Sequence, residues 1–255
     1  MITREQVLEI SKKKKINETV IFREYLQLLF LNKLYSYPKS QNVFFKGGTA
    51  IHLIYKAPRF SEDLDFTVNM PEKDFLSFIL NVFEDIKKEE PLQFKERKTI
   101  SGKRFLITAS IPDLSYKIFI NLDFSFREKA LRPEKTIIKI EDYPLLFTNY
   151  IIHLSKEEIF AEKIRALMTR KKGRDLYDLW YLIDLGVNFE ESLVKEKLKY
   201  YQIKSINHSQ IIERLDSFTE KEFINDLRPF VPFTEREKLP QFYQYLKDYL
   251  KKYLG

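Results

Sequence analysis

The sequence predicts an α+β fold, with a mixed β-sheet core carrying helices, an N-terminal helical arm and a helical C-terminal domain. Three observations predict it. Residues 117–126 (Lys-Ile-Phe-Ile-Asn-Leu-Asp-Phe-Ser-Phe) alternate with a period of two. Ile118, Ile120, Leu122, Phe124 and Phe126 fall on one face, and Asn121, Asp123 and Ser125 on the other, as in a half-buried strand. The apolar run Val43-Phe44-Phe45 leads through Lys46 to the pair Gly47-Gly48, which opens a short amphipathic helix with Ile51, Ile54 and Tyr55 on one face. From about residue 155 the apolar residues recur at helical spacing.

Residues 4–35 carry the helical arm, with Val20, Ile21, Tyr25, Leu28, Leu29, Leu31 and Leu34 at a period near 3.6. The lysine run at 12–15 suits a solvated helix end or turn. Strand, turn, helix and strand follow over 43–70. A helix over 72–89 faces inward with Phe75, Phe78, Ile79, Val82, Phe83 and Ile86. Two strands over 92–99 and 103–111 flank the turn signal Ser101-Gly102, and the Asp123 strand comes next. Residues 127–144 are basic and then loop-like, with Pro133 and Pro144 as breakers. Ser155-Lys156-Glu157-Glu158 reads as a capping box opening a helix that ends at Lys171-Lys172-Gly173. A second helix runs from about Arg174 to Leu185, and further helices occupy 190–203, 207–215, 219–226 and 238–253. The chain divides into a domain over 1–150 and a helical domain over 151–255.

The chain has 255 residues, of which 44% are hydrophobic and 32% charged, a globular composition with ample material for a core. It has no cysteine, which excludes disulfides and thiolate zinc sites and suits a reducing cytoplasm. The N-terminus lacks the apolar stretch of a signal peptide, and no apolar run approaches the ~18 residues that span a bilayer, so no membrane association is expected. The net charge of +7 is compatible with a polyanionic partner such as RNA and equally with a generic basic surface.

The chemistry concentrates in residues 46–66, Lys-Gly-Gly-Thr-Ala-Ile-His-Leu-Ile-Tyr-Lys-Ala-Pro-Arg-Phe-Ser-Glu-Asp-Leu-Asp-Phe. A glycine turn opening a helix presents backbone N–H groups that suit an anionic phosphate. In Asp63-Leu64-Asp65-Phe66 the two carboxylates project together while Leu64 and Phe66 enter the core. Paired carboxylates repel unless a cation lies between them, and Mg2+ is the usual one in phosphoryl chemistry. A phosphate cradle followed by such a pair points to nucleotidyl transfer, and Asp123 supplies a third carboxylate. Lys46 suits phosphate neutralisation or plain surface exposure, and Thr49 suits a phosphate contact or a helix cap. Arg59, near Ser61 in the loop before Asp63, suits either steering of a triphosphate or a structural ion pair with Glu62 or Asp63. His52, His153 and His208 show no ligand spacing.

The order Gly-Gly, Asp-x-Asp and a later strand-borne Asp resembles the DNA polymerase β-like nucleotidyltransferase superfamily. Fourteen residues separate Gly48 from Asp63, slightly more than the commonest superfamily spacing. The block Lys-Gly-Gly-Thr-Ala…Arg-Phe-Ser-Glu-Asp-Leu-Asp-Phe, with Glu-Ile-Phe-Ala-Glu-Lys-Ile-Arg-Ala-Leu-Met at 158–168 and Arg-Asp-Leu-Tyr-Asp-Leu-Trp-Tyr-Leu at 174–182, resembles the narrower AbiEii/AbiGii toxin family, which includes MenT-type toxins. The resemblance implies an NTP co-substrate and two Mg2+ ions, or Mn2+ in their place, on Asp63, Asp65 and Asp123. It implies nucleotide contacts from Lys46, Gly47, Gly48, Thr49, Arg59, Ser61, Arg174, Asp175 and Asp178. Lys163 lies near the apolar face of its helix, where a lysine usually snorkels; the resemblance implies instead that it neutralises phosphate charge in the cleft. Asp175 and Asp178, on one helix face, suit holding Lys163 or Arg174, binding substrate, or plain surface exposure. The implied acceptor is the tRNA 3′ end, with a cognate antitoxin as regulatory partner. Arg127, Lys129 and Arg132 suit a local RNA-backbone contact or a solvated loop. Two alternatives stay open on these residues: an aminoglycoside-type nucleotidyltransferase, and a non-catalytic binding module on the same scaffold.

Overall fold

The computed structural model describes residues 1–111 and 114–254. They form two compact units: Met1–Lys56 with Phe60–Leu154, and Ala57–Arg59 with the chain from Ser155 onward.

The first unit is a mixed α/β layer structure. Its strands are β1 (Val43–Lys46), β2 (Leu64–Val68), β3 (Leu92–Arg97), β4 (Lys103–Ser110), β5 (Lys117–Ser125), β6 (Pro133–Thr136) and β7 (Ile151–Leu154). They make one seven-stranded sheet in the order β3-β4-β5-β2-β1-β7-β6. The β2–β5 and β1–β7 pairs are parallel and the others antiparallel. Helices α1 (Arg4–Lys14), α2 (Glu18–Tyr35), α3 (Gly47–Leu53) and α4 (Glu72–Glu89) complete the unit.

The alternation in β5 is realised: Ile118, Ile120, Leu122 and Phe124 are buried, and the intervening residues are not. Phe124 stacks on Phe66 at 4.9 Å between ring centres, Phe75 of α4 lies 4.6 Å from Phe124, and Phe30 of α2 meets Phe66 edge-on at 6.2 Å. This aromatic layer holds the two helices against one sheet face. The inward residues expected for α4 are all buried.

Residues 4–35 are helical as expected, and the lysine run is a helix end: Lys15 adopts a left-handed conformation (φ 53°) that closes α1, and the Asn17 side chain caps α2 by accepting from the Thr19 N–H. Two local expectations need correction. The loop over 127–144 contains β6, where Pro133 sits first in an edge strand that needs no N–H from it. Residues 151–154, which the sequence groups with the helical region, form β7 and pair with both β1 and β6. Four residues are too short for a periodicity to show.

The second unit is helical: α5 (Lys156–Thr169), α6 (Gly173–Asp184), α7 (Glu191–Lys199), α8 (His208–Asp216), α9 (Glu220–Leu227) and α10 (Leu239–Leu254). Ser155 caps α5 by accepting from the Glu158 N–H at 3.2 Å. Glu158 does not complete a capping box; it is fully buried and reaches Lys197 of α7 at 2.6 Å. Glu162 also meets that ammonium, at 3.0 Å, so a charged triad sits inside the α5–α7 contact. No helix among the described residues is long and apolar enough to cross a membrane.

Candidate active site

Strand register assembles a row of charges across the first unit's sheet. Lys46 of β1 lies opposite Asp65 of β2, Asp65 beside Asp123 of β5, and Asp123 opposite Arg104 of β4. Residues in register share a face, so two carboxylates stand side by side between two cations. Asp63 joins them just before β2, where its Oδ1 accepts from Asn121 Nδ2 at 2.9 Å. Arg104 Nε donates to Asp123 Oδ1 at 2.6 Å. Burial and then the neighbouring Asp65 push the Asp63 carboxyl above its ordinary range. Burial also raises Asp123, against the pull of Arg104 and with the help of Asp63.

The glycine turn abuts this row. Gly47 has φ +79°, and a Cβ placed on it would lie 2.4 Å from Asp65 Oδ2. The missing side chain therefore lets backbone and carboxylate approach closely. Thr49 donates its hydroxyl to the Asp63 carbonyl, which ties α3 to the Asp63 segment. Lys46 is buried and lies 3.8 Å from Glu128, itself buried. The Ser61 carbonyl accepts from Gln27 Nε2 at 3.0 Å. His52 on α3 meets the buried Glu24 of α2 at 3.2 Å, and Glu24 also accepts from Tyr143 at 2.6 Å, so α3 is anchored to α2.

Replacing Gly47 with alanine should be costly on two counts. A left-handed φ strains any L side chain, by about 1–3 kcal/mol, and the methyl must displace the Asp65 carboxylate. We expect Gly47→Ala to lower stability by that amount in urea titration and to reduce turnover at least about tenfold. Wild-type turnover in the variant would make the close approach incidental.

Among the described residues no three acidic or histidine side chains already converge into a preformed metal cluster. Oxygens of Asp123 and Asp63 are held by Arg104 and Asn121. The donor chemistry nevertheless fits a hard divalent cation: the donors are carboxylate oxygens, and two of the carboxylates are register neighbours. Burial is the larger cause of the rise at Asp63, and the repulsion from Asp65 that adds to it is what a bound cation would relieve.

The second unit gathers the other sequence-derived residues. Arg59 Nε and Nη2 both donate to Asp178, at 2.7 and 2.6 Å, and Arg59 is only 2% exposed. Lys163 Nζ lies 2.8 Å from Asp175 and 2.7 Å from Asp178. Arg170 Nε donates to Asp175 at 2.8 Å. Two carboxylates one helical turn apart on α6 thus share three cations. Lys163 does not snorkel outward; its ammonium ends in this buried network. The Arg174 guanidinium lies 4.8 Å from the Phe230 ring centre.

Burial alone would raise Asp175 and Asp178, but Lys163 with Arg170 and Arg59 with Lys163 outweigh it and hold both below the ordinary carboxylate range. Burial would lower Lys163, and the two aspartates reverse that to a net rise. The carboxylates therefore stabilise the fold fully above the unfolded aspartate value of about 3.9, and this is lost as pH falls through their folded values. The lysine contribution is complete below about 10.4 and is lost as pH rises through its folded value. We expect stability to fall steeply below about pH 4, and less steeply in Asp175→Asn. Denaturant titration at pH 7, 4 and 2.5 measures this; identical acid profiles for the two proteins would contradict it.

The family model for the nucleotidyl transferase AbiEii toxins of type IV toxin–antitoxin systems matches residues 29–251. The chain belongs to this AbiEii family. It is a nucleotidyltransferase, and family membership brings with it an NTP substrate, a divalent metal in the reaction and an antitoxin partner. An uncharacterised protein from Aquifex aeolicus is 26% identical over 225 residues, covering 87% of this chain and 94% of that protein. The nucleotidyltransferase toxin MenT4 of Mycobacterium tuberculosis shares the fold, with a TM-score of 0.63 at 17% identity over 97% of this chain and 90% of its own. The JHP933 protein of Helicobacter pylori does so with a TM-score of 0.53 at 22% identity, over 94% of each chain.

Four residues of this AbiEii protein's two clusters escape motif reading. Arg104 and Asn121 become visible only through register, Arg170 through the turn between α5 and α6, and Glu128 through its burial against Lys46. Strand alternation does place Asn121 on the face of Asp123, which was the one available signal.

Proposed function

We propose that the carboxylate row transfers a nucleoside monophosphate from an NTP to the 3′ hydroxyl of an RNA, with tRNA as the acceptor. The single observation that carries this reading is the glycine turn packed against Asp65 in register with Asp123. Asp63, Asp65 and Asp123 would hold the metal, Mg2+ or Mn2+, which when bound neutralises phosphate charge and makes the acceptor hydroxyl more acidic. Backbone N–H groups at Gly47 and Gly48, with Lys46 behind them, would hold the phosphates. Thr49 would act by fixing the Asp63 segment, and Ser61 by closing the loop before it. The acceptor oxygen attacks the α-phosphorus, and a new P–O bond forms. The bond from the α-phosphorus to the bridging oxygen breaks, pyrophosphate leaves with that electron pair, and Asp123 takes the hydroxyl proton.

Lys163, Arg59 and Arg174 are assigned to phosphate charge by the family resemblance. Of these, Lys163 has a third N–H beyond the two that face Asp175 and Asp178. Asp175 and Asp178 would position it. The cytoplasm, which holds both NTPs and tRNA, would be the site of action.

The test is label transfer. The purified protein is incubated with each α-labelled NTP, Mg2+ and total RNA, with an aminoglycoside panel in parallel. Label on tRNA is expected. Label on an aminoglycoside and none on RNA would replace this reading with a small-molecule nucleotidyltransferase.

A further inference from the structure

The sheet face that carries the carboxylate row does not end at Arg104. It continues over β5, β4 and β3, and on these strands it is open. Residues alternating with the buried ones are half-buried or exposed throughout, from Lys117 to Asp123 on β5, Arg104 to Ser110 on β4 and Gln93 to Arg97 on β3. Phe119 stands on this face 44% exposed, on an inner strand and opposite Thr108. A large aromatic exposed in the middle of a sheet has given up burial that its position could have provided.

The charge on this open face is one-sided. Lys95, Arg97, Arg104 and Lys117 project from it, and the one carboxylate among its register positions is Asp123. Arg97 lies directly opposite Arg104. Asp123 holds the Nε of Arg104, but like charges so placed still repel, and an anion bound by Arg97 and the remaining N–H groups of Arg104 relieves that repulsion. The row therefore reads, strand by strand, as an arginine pair next to an aspartate pair. A polyanion on the arginines would have its end at the carboxylates.

We propose that this open face is the platform for a single-stranded RNA 3′ end, with a base stacked on Phe119 and phosphates on Arg97, Arg104, Lys95 and Lys117. The proposal rests on the RNA-acceptor reading above and adds where the acceptor lies. Phe119 is four residues from Asp123 along one strand, about 13 Å, so the stacked base would belong to a nucleotide close to the reacting hydroxyl. Aromatic side chains on an open sheet are an effective way to hold an unpaired base, because every base has a π-face. The cations on the same face repel a cationic aminoglycoside.

The experiment uses the full chain, total tRNA and whichever NTP the wild type transfers. KM for tRNA, KM for NTP and kcat are measured for wild type, Phe119→Ala, Phe119→Tyr and Arg97→Ala, with thermal melts to confirm folding. Both positions are exposed, and Arg97 lies on an edge strand. Phe119→Ala should raise KM for tRNA about tenfold or more, leaving KM for NTP and kcat at saturating tRNA unchanged, and Phe119→Tyr should restore it. Arg97→Ala should also flatten the dependence of log affinity on log salt by about 0.7. A wild type that labels tRNA while Phe119→Ala and Arg97→Ala keep its KM for tRNA overturns the platform and leaves the function standing. A wild type that labels no RNA overturns both.

Discussion

Asp65→Asn and Asp63→Asn should each reduce nucleotidyl transfer by at least about 10²–10³-fold, the range for losing one preorganised electrostatic contact in an active site. Neither should lower stability. Asparagine keeps the shape, and it removes one of the charges whose repulsion raises Asp63 and, through Asp63, Asp123. A small gain in melting temperature is expected, because part of the repulsion disappears. Turnover and thermal melts on the same preparations decide the point. Activity within tenfold of wild type in either variant would remove that residue from the chemistry. Loss of activity together with a large loss of stability would make it structural instead.

Asp178→Ala should have the opposite signature. Asp178 is fully buried and accepts both forward bonds of Arg59 while facing Lys163. Its removal leaves two buried cations short of a counter-charge. Breaking a buried pair in this way costs about 3–5 kcal/mol, which is a large share of the stability of an ordinary domain. Asp178→Asn should lose less, because the amide oxygen still accepts one hydrogen bond. Denaturant titration of the three proteins at neutral pH gives the order directly. A loss below about 1 kcal/mol for Asp178→Ala would mean that Arg59 and Lys163 find other partners at little cost.

The two clusters differ in how legible they are before folding. Asp63, Asp65 and Asp123 could be picked out because strand alternation fixes the face of each carboxylate, and because a glycine turn next to an Asp-x-Asp is an uncommon neighbour. Arg104 could not. It sits in a strand with no motif, and it matters only because β4 pairs with β5 in one particular register. The same holds for Arg97 and Phe119. Glu158 shows the reverse failure: its spacing from Ser155 fits a local cap, but a tertiary partner, Lys197, takes the side chain instead. Lys163 lies near the apolar face of its helix, yet spacing alone cannot say whether such a lysine snorkels or pairs. The answer depended on Asp175 and Asp178 coming from the next helix. β7 is not legible because four residues are too short for a periodicity to show, and one of its two partner strands, β1, is more than a hundred residues away in sequence.

The chemistry of this AbiEii protein is tested most directly by following the two ends of the NTP separately. The protein is incubated with tRNA and Mg2+ and with the same nucleotide labelled either at the α-phosphorus or at the γ-phosphorus. The α-label should appear on RNA, the γ-label should appear only in released pyrophosphate, and one pyrophosphate should form per nucleotide added. Asp65→Asn should show neither. Transfer of the γ-label to RNA, or release of inorganic phosphate with no label on RNA, would contradict nucleotidyl transfer by the carboxylate row.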